Sequence, residues 1–474
     1  MMRWVIAGGG FTGIATALHL ARTSPRPLHI QVLEPRAQLG AGLAHSAEHP
    51  DLRLNGTPGI HAMYLDAPLH FLQWLQDSGA LAGDPQATNP DGSIYPRRAD
   101  FGRYMAAELA RHARSNSSGS VIEHVQQRAT RVWAGAGTAR VQLETSGAVL
   151  DVDGLVLAPG WNAVAVPPAL SPLQPHRGWV GDPWNLAQMA AISRDAPVLL
   201  VGAGLTAADA FSVLVAQGHQ GPVTALSRRG LRPAAQTPHR LPVGVWERLL
   251  DPNPDFVRRH GRPRSAREAL RALRQDVAAA ASDPAGWYVP FDELRDCVTH
   301  FWPHWSDAEK RRASRHLKGW YDAFRYRNPP QTQRIVEQGV ARGQLCFASG
   351  RLEGAHVLGD ALAVDFQTRA GDLHRLKVGA VVNCTGPQPR PSRSGNPLWR
   401  AMVADGLACD HGSGNGVAVD MDCRVLDANG RPHPNIRALG PITSGCFGEA
   451  TAVPYIARQI LQTLTPDILN GGAP

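Results

Sequence analysis

Residues 5–18 read Val5-Ile-Ala-Gly-Gly-Gly-Phe-Thr-Gly-Ile-Ala-Thr-Ala-Leu18 and carry the strongest structural signal in the chain. A short apolar strand leads into Gly8, Gly10 and Gly13, which have the G-x-G-x-x-G spacing, and apolar residues then recur at helical intervals. In such a turn the first glycine allows the bend, the second lets backbone approach a pyrophosphate, and the third brings helix and strand together. The helix N-terminus would offer free N–H groups to the phosphates. The stretch therefore predicts a strand–turn–helix unit that binds a dinucleotide.

An acid completes this unit. Glu34 ends the predicted second strand, Gln31-Val-Leu-Glu34, about 20 residues past the glycines, where such units place a carboxylate for the ribose hydroxyls. A glycine triplet alone is a weak signal in a chain with 48 glycines. Here the strand, the glycine triplet, the helix, the second strand and the acid follow one another in the correct order. This order favours a dinucleotide-binding unit over a simple tight turn.

The opening pattern recurs in the middle of the chain. Pro197-Val-Leu-Leu-Val201 is a predicted strand, followed by a second glycine turn in which alanine takes the third place, at Gly202, Gly204 and Ala207. Alanine there is compatible with a slightly wider approach of helix to strand. A second dinucleotide-binding unit is therefore expected.

The second strand of this unit, Val223-Thr-Ala-Leu226, ends in Ser-Arg-Arg-Gly instead of an acid. Guanidinium groups at Arg228 and Arg229 can pair with the 2′-phosphate that distinguishes NADP from NAD, whereas a carboxylate would repel it. The alternative is that both arginines are solvated surface residues. We favour the phosphate role.

Several smaller features predict pocket or cofactor contacts. Further tight turns or ligand edges follow apolar strands, and one acid precedes the last predicted helix; these residues are Gly160, Gly386, Gly440 and Glu449. The segment Gly40-Ala-Gly-Leu-Ala-His45 could sit over a cofactor, and His45, Asn55 and His61 are candidate pocket residues. Any one such residue is more often structural than catalytic.

Two longer segments differ in composition from the rest of the chain. The proline-rich span 166–183 is predicted to be a linker. Residues 245–330 are predicted to be helical and basic, with aromatic residues between the charges. Nucleic-acid binding and a cap over a cofactor would both produce such a pattern, although most of these aromatics are expected to be core.

Composition excludes several classes of protein. The chain of 474 residues has an ordinary apolar fraction of 43%, no run long enough to span a membrane and no secretion signal, so we expect a cytoplasmic protein of two or three domains. Its six cysteines form no C-x-x-C pair and its histidines form no H-E-x-x-H motif, which argues against a zinc ribbon, a redox dithiol or a metal centre. An anionic cofactor or substrate explains the net charge of +8 more simply than nucleic acid.

Taken together, the order of these parts resembles the two-dinucleotide-binding flavoproteins, and more narrowly the bacterial FAD/NAD(P)-binding proteins of the YdhS type. The resemblance covers nearly the whole length. Besides the two glycine turns, it rests on Leu54-Asn55 with Pro58, Pro96-Arg-Arg98 with Phe101-Gly-Arg-Tyr104, Asp209, Leu226-Ser-Arg-Arg-Gly230 and Ala438-Leu-Gly-Pro441. His45 stands where a tyrosine is common in that family.

The resemblance implies an α/β fold with two Rossmann-like dinucleotide-binding domains, the NAD(P) domain inserted in the FAD domain, and a helical cap. On this basis the FAD domain comprises residues 1–169 and 386–474, and the NAD(P) domain comprises 170–385, with the helical insertion at 245–330. The implied cofactors are FAD with NADPH or NADH. The implied partners are a small-molecule substrate and molecular oxygen.

The activity implied is that of a single-component monooxygenase that hydroxylates a small nitrogen-containing substrate, with urate as the first candidate. The basic surplus around the predicted cap agrees with an anionic substrate. Three alternatives stay open: an amine N-hydroxylase, since the cap also contains Asp292, Glu293 and Asp296; a flavin reductase or dehydrogenase that passes electrons to a partner; and a non-enzymatic cofactor-binding sensor.

Overall fold

The computed structural model describes residues 1–135, 137–160, 164–236, 244–282 and 286–469. Within these residues the strands, in chain order, are β1 (Met2–Ala7), β2 (Leu28–Leu33), β3 (Val121–Val125), β4 (Ala129–Ala134), β5 (Ala139–Leu143), β6 (Val149–Val152), β7 (Gly154–Leu157), β8 (Trp179–Val180), β9 (Val198–Val201), β10 (Val223–Ser227), β11 (Leu345–Ser349), β12 (Arg351–Leu358), β13 (Ala361–Gln367), β14 (Leu373–Val378), β15 (Ala380–Asn383), β16 (Arg424–Leu426) and β17 (Pro432–Ala438).

The helices are α1 (Phe11–Thr23), α2 (His70–Asp77), α3 (Arg98–Arg114), α4 (Leu186–Ala190), α5 (Leu205–Ala216), α6 (Val245–Leu250), α7 (Asp255–His260), α8 (Ala266–Ala279), α9 (Val289–Cys297), α10 (Asp307–His316), α11 (Lys318–Arg325), α12 (Pro330–Ala341), α13 (Pro397–Ala404), α14 (Ser444–Phe447), α15 (Val453–Thr463) and α16 (Pro466–Leu469). None of the helices in the described ranges is both long and apolar enough to cross a bilayer.

The first sheet has six strands in the order β16–β17–β7–β1–β2–β3, all parallel except β16 at the edge. Alternate residues of β1 point to opposite faces. Trp4 and Ile6 pack with α1, α3 and α15, whereas Val5 and Ala7 pack with the antiparallel sheet β4–β5–β6 and with α13. Both faces are covered, which explains why β1 and β7 are apolar along almost their whole length.

The second sheet has five parallel strands in the order β11–β10–β9–β15–β8. It repeats the arrangement of the first sheet. Val198 and Leu200 of β9 pack with α5 and α12, and Leu199 and Val201 pack with the antiparallel sheet β12–β13–β14. Each parallel sheet therefore lies between helices on one face and a three-stranded antiparallel sheet on the other.

The chain passes between the two parallel sheets twice. All strands of the second sheet lie between residues 179 and 383, whereas the first sheet takes strands from both sides of that span. The two crossing segments run side by side, because Val164 bridges Pro387 and the Ala165 N–H donates to the Gly386 carbonyl at 3.1 Å. The predicted insertion of one dinucleotide-binding unit into another is confirmed at the level of sheet topology.

The predicted linker at 166–183 is wrong in one respect. This span contains β8, at the edge of the second sheet, and a 3-10 helix at Pro168–Leu173. Leu170 and Leu173 are fully buried against the antiparallel sheet β12–β13–β14. The proline-rich segment is folded here because the apolar side chains between its prolines are buried.

Helices α6 to α11 fall in the predicted helical region, and α7 to α11 form a core of their own around Phe256, Phe291 and Trp305. This helical region packs on the C-terminal part of the chain. The Trp302 indole N–H donates to the Gly445 carbonyl at 3.0 Å, and Arg458 of α15 donates to the Leu249 carbonyl at 2.9 Å. The region therefore contacts α14 and α15, and α6 shares a separate apolar cluster with α15.

Candidate cofactor and substrate site

The first glycine turn has the geometry that its spacing predicts. Gly8 has a φ of +122°, and a Cβ there would overlap the Ala158 carbonyl at the end of β7. A Cβ on Gly13 would overlap the Gly8 carbonyl, so the missing side chain lets α1 pack on the turn. Gly10 caps α1 without any side-chain hydrogen bond. The positive end of the helix dipole therefore remains available to an anion.

A loop that follows Glu34 lies against this turn. The Gly40 N–H donates to the Gly9 carbonyl at 2.8 Å, and a Cβ on Gly10 would lie 3.3 Å from the Gly42 Cα. Gly40 and Gly42 both have positive φ angles. Glycine at position 10 thus makes room for this loop.

Glu34 is buried at the carboxyl end of β2. Its Oε2 accepts the Gly9 N–H at 3.0 Å and its Oε1 accepts the Arg36 Nε–H at 3.0 Å. Burial alone would raise the pKa of Glu34, but these hydrogen bonds outweigh it and hold the pKa below its ordinary value. A carboxylate offers about four acceptor positions, so Glu34 keeps capacity for ribose hydroxyls.

The C-terminal part of the chain closes this unit. Gly440, with a φ of +80°, stands against the first turn of α1, where a Cβ would lie 2.6 Å from the Thr12 hydroxyl. Its N–H donates to Gln459 of α15 at 2.7 Å. Gly160 and Gly386 also have positive φ, and a Cβ on either would meet nothing within 4 Å. The predicted tight turns are present, and both open onto free space.

The predicted pocket residues come together around Phe101. The rings of His45 and His61 lie 4.9 and 5.5 Å from the Phe101 ring, and the Asn55 Oδ1 accepts from Arg98 at 3.4 Å. Burial, the neighbouring His61 and the Arg98 cation lower the pKa of His45 to about 3, and burial lowers that of His61 to about 4. Both imidazoles are therefore neutral at pH 7, and the cation at this place is Arg98.

The second glycine turn differs from the first in its surroundings. Gly202 has a φ of +126°, and a Cβ there would lie 2.5 Å from the Cys384 carbonyl. Gly204 caps α5 without a side-chain hydrogen bond, and a Cβ there would meet nothing within 4 Å. Ala207 is buried in the first turn of α5. The N-terminus of α5 therefore faces open space.

The two predicted phosphate-binding arginines have different environments. Arg228 is exposed, and its side chain makes no hydrogen bond or ion pair within the described ranges. Arg229 donates to the Arg315 carbonyl of α10 at 3.0 Å and so reaches toward the helical region. Arg232 lies over the Phe347 ring at 5.7 Å. Arg228 is therefore better placed than Arg229 to meet a ligand at this edge of the sheet.

A polar network connects the helical region to the first unit. The Asp292 carboxylate accepts from Arg295 and from Arg327, the latter at 2.8 Å, and the Arg327 Nε donates to Gln236 at 3.0 Å. Gln236 in turn donates to the Asn55 carbonyl at 2.8 Å. The network thus reaches from α9 to the pocket residues.

The carboxylates in this region already have cationic partners. Glu449 accepts from Arg325 at 2.6 Å, Asp296 accepts from Arg248 and Arg295, and Glu293 pairs with Arg259. All six cysteines are free, and no cluster of metal-ligating side chains occurs among the described residues.

Residues 5–162 match the protein family described as FAD-NAD(P)-binding. The matched span contains the first glycine turn, Glu34, His45 and Asn55. No curated protein matches the chain.

Solved structures share the fold over nearly the whole chain. An ornithine N-hydroxylase from Kutzneria sp. 744, in a structure with reduced FAD, NADP+ and L-ornithine, is 16% identical with a TM-score of 0.62 and 97% of each chain covered. The reduced form of an ornithine hydroxylase from Pseudomonas aeruginosa is 15% identical with a TM-score of 0.64, covering 99% of this chain and 98% of that one. A cadaverine monooxygenase from Erwinia amylovora, bound to FAD, is 11% identical with a TM-score of 0.61, covering 99% and 94%.

The chain therefore has the α/β fold of flavin monooxygenases with two dinucleotide-binding units, as the sequence predicts. The observed turns are compatible with the two predicted cofactors, because α1 and α5 both begin without a side-chain cap behind glycines whose side chains would obstruct the turn or the approach. No role was predicted for Gln236, Arg325 or Arg327. Their local patterns carry no such signal, because their partners lie far away along the chain.

Proposed function

We propose that this chain is a flavin-dependent monooxygenase that takes electrons from NADPH and hydroxylates the nitrogen of a small amine. One observation supports this most strongly. Two glycine turns without side-chain caps stand on two parallel sheets of one chain, and the N-terminal parts of α3 and α5 are in direct contact through Arg98 and Asp209 at 2.6 Å. A donor site and an acceptor site in contact are what electron transfer between two dinucleotides requires.

In this proposal FAD lies along Gly8, Gly10, Gly13 and Glu34, with the other predicted contacts at Gly160, Gly386, Gly440 and Glu449, and the nicotinamide cofactor lies along Gly202, Gly204 and Ala207. The flavin would supply the redox chemistry: two-electron reduction by the nicotinamide and transfer of one atom of O2 to the substrate, the other atom leaving as water. The protein supplies orientation and a sheltered pocket, in which His45 and Asn55 are the candidate polar groups.

The preference for NADPH rests on Arg228. We expect Arg228→Ala to weaken NADPH binding about tenfold or more, because a charge-assisted hydrogen bond to phosphate contributes roughly 1.5–3 kcal/mol, and to leave NADH binding unchanged. Arg229→Ala is the matched control, since Arg229 is engaged with the Arg315 carbonyl. Dissociation constants from fluorescence titration would measure both. Equal loss of NADPH affinity in the two variants would remove the special role of Arg228.

Two observations favour an amine over urate as the substrate. The similar structures include ornithine and cadaverine hydroxylases, although their low identity to this chain supports only a class of substrate. In addition, the buried arginines of the helical region that could bind an anion are already paired. Arg295, Arg325 and Arg327 all have buried carboxylate partners. The same pairing engages Asp292 and Asp296, so the recognition of an amine would depend on polar groups instead of a free acid.

The experiment compares substrates on the purified protein. NADPH oxidation, oxygen consumption and product mass are measured with ornithine, lysine, cadaverine and urate in parallel. We expect an amine to give a product heavier by one oxygen atom, with hydroxylamine reactivity, in proportion to the NADPH consumed. Hydroxylation of urate alone would restore the urate assignment. NADPH oxidation that yields only hydrogen peroxide or a reduced protein acceptor would favour the reductase alternative.

A further inference from the structure

Arg98 contacts both dinucleotide-binding units. It is the first residue of α3, its Nε donates to the Arg53 carbonyl at 2.8 Å, and its backbone N–H donates to the Leu52 carbonyl at 2.8 Å. These contacts attach it to the first unit. On the other side its guanidinium pairs with the Asp209 carboxylate of α5 at 2.6 Å and lies 5.1 Å from the centre of the Trp184 ring.

The Arg98–Asp209 ion pair is buried. The Arg98 side chain is 11% exposed and that of Asp209 is 3% exposed. Burial raises the pKa of Asp209 to about 6, although the Arg98 guanidinium opposes the rise. Without Arg98 the carboxylate would take up a proton still more readily. The pair therefore depends on both partners, as buried ion pairs do.

Each partner of the ion pair belongs to a helix next to a glycine turn. Asp209 is on α5, one turn after Gly204, so its ion pair connects Arg98 to the N-terminal part of that helix. α3 packs on α1, the helix of the first turn, and Phe11 and Phe101 are in ring contact at 5.7 Å. The packed helices α1 and α3 of the first unit are thus connected to α5 of the second unit by the Arg98–Asp209 ion pair.

The apolar residues around the ion pair come from both units. Leu52, which precedes the first pocket residues in the chain, is buried in the same core cluster as Ala203, Ala207 and Phe211 of the second unit. The contact between the units at this place combines a small apolar cluster with the buried ion pair of Arg98 and Asp209. The ion pair restricts the movement of the two units, because separating the charges would leave a buried ion without its partner.

We propose that Arg98 and Asp209 are positioning residues that hold the two glycine turns at the separation needed for hydride transfer between the bound cofactors. In that transfer a hydride leaves the nicotinamide C4 for the flavin N5, NADPH becomes NADP+, and the flavin gains two electrons and completes its reduction with a solvent proton. Misplacement of reacting atoms by about 1 Å can cost about a hundredfold in rate. The inference rests on the proposed function.

The test combines stopped-flow kinetics with a double-mutant cycle. Anaerobic flavin reduction by NADPH is followed in the wild type, Arg98→Gln, Asp209→Asn and the double variant, with Arg98→Lys as a milder change in case Arg98→Gln fails to fold. We expect each single variant to reduce flavin at least about tenfold more slowly at saturating NADPH, with FAD occupancy and the NADPH dissociation constant within about twofold of wild type. The double variant should be no slower than the slower single variant.

The second readout is the unfolding of the apoprotein in urea, which needs no cofactor. If the residues act as a pair, the unfolding constant of the double variant lies within about twofold of that of the more destabilised single variant. Arg131→Gln, which breaks the exposed pair with Asp405, is the control and should leave reduction unchanged. Wild-type reduction rates in the single variants, or additive effects in the double variant, would overturn the inference alone. Failure of the wild-type flavin to accept electrons from NADPH or NADH would overturn the proposed function, and the positioning role with it.

Discussion

Gly202 and Gly204 lie two residues apart, and glycine is needed at these two positions for different reasons. Gly202 has a left-handed φ and no room for a Cβ, whereas Gly204 has an ordinary extended φ of −86° and open space around its missing side chain. The first glycine is needed by the fold. The second is needed only if a ligand approaches the N-terminus of α5.

This difference makes a direct prediction. Gly204→Val should leave the free energy of unfolding within about 0.5 kcal/mol of wild type but weaken NADPH binding about tenfold or more, because the side chain fills the approach path. Gly202→Ala should instead destabilise the fold by at least about 1 kcal/mol, since the new Cβ meets the Cys384 carbonyl in a strained backbone. Urea unfolding and NADPH titration measure both effects. Unchanged NADPH affinity in Gly204→Val would show that the cofactor binds elsewhere.

The buried histidines predict a pH dependence of stability. The pKa of His45 is lowered to about 3 in the folded chain, so below its ordinary value of 6.5 the unfolded chain takes up the proton first. Stability from His45 is therefore fully present above pH 6.5 and is lost as the pH falls toward 3, by at most about 1.4 kcal/mol per pH unit.

The measurement is the free energy of unfolding between pH 7 and 4 for the wild type and His45→Gln. The variant should show a shallower decline, because glutamine does not titrate. His304→Gln, at an exposed position, is the control and should keep the wild-type slope. The same slope in His45→Gln and wild type would mean that His45 is solvated in the folded protein.

At the scale of elements, α9 and α11 carry buried ion pairs, some within the helical region and one that joins this region to the C-terminal part of the chain. Asp292 of α9 is bonded to Arg295 and Arg327, and Arg325 of α11 is bonded to Glu449. Both carboxylates and all three arginines are buried. Removing one carboxylate from such a network leaves a buried cation without compensation.

We therefore expect Asp292→Asn to lower the free energy of unfolding by about 3–5 kcal/mol. Asp255→Asn provides the matched control, because Asp255 pairs with Arg258 on the surface of α7 and should contribute about 0–1 kcal/mol. Chemical denaturation compares the two variants. A loss in Asp292→Asn as small as that in Asp255→Asn would show that water reaches the network.

At the scale of the whole molecule, the first sheet depends on residues from both ends of the chain. β17 pairs with β7 in the interior of that sheet, and Trp399, Met402 and Ile436 from the C-terminal part are fully buried against it. The first glycine turn is also closed by Gly440. The site predicted for FAD therefore cannot form from the N-terminal residues alone.

A chain that ends at Thr385 should consequently bind no FAD and should aggregate, because β7 would become an unpaired apolar edge. A chain that ends at Thr465 loses only α16 and the residues beyond it and should keep wild-type FAD content. Absorbance of the bound flavin and sedimentation measure the outcome. Normal FAD binding by the shorter chain would contradict the closure described here.

Local sequence patterns were sufficient for both glycine turns and for the strands around them, because a turn that needs positive φ and a buried parallel strand each constrain neighbouring residues directly. The assignment of cofactors to these turns stays a prediction. The insertion of one unit in the other was predicted by resemblance and is confirmed in the order of the strands. The pairings Arg98–Asp209, Arg325–Glu449 and Gln236–Asn55 were not predictable. Their partners lie more than a hundred residues apart, and burial decides which of many arginines meets a carboxylate. Charge counted along the chain suggested an anionic substrate, whereas the folded molecule pairs the buried arginines of the helical region with carboxylates, since buried ions are stable only with partners.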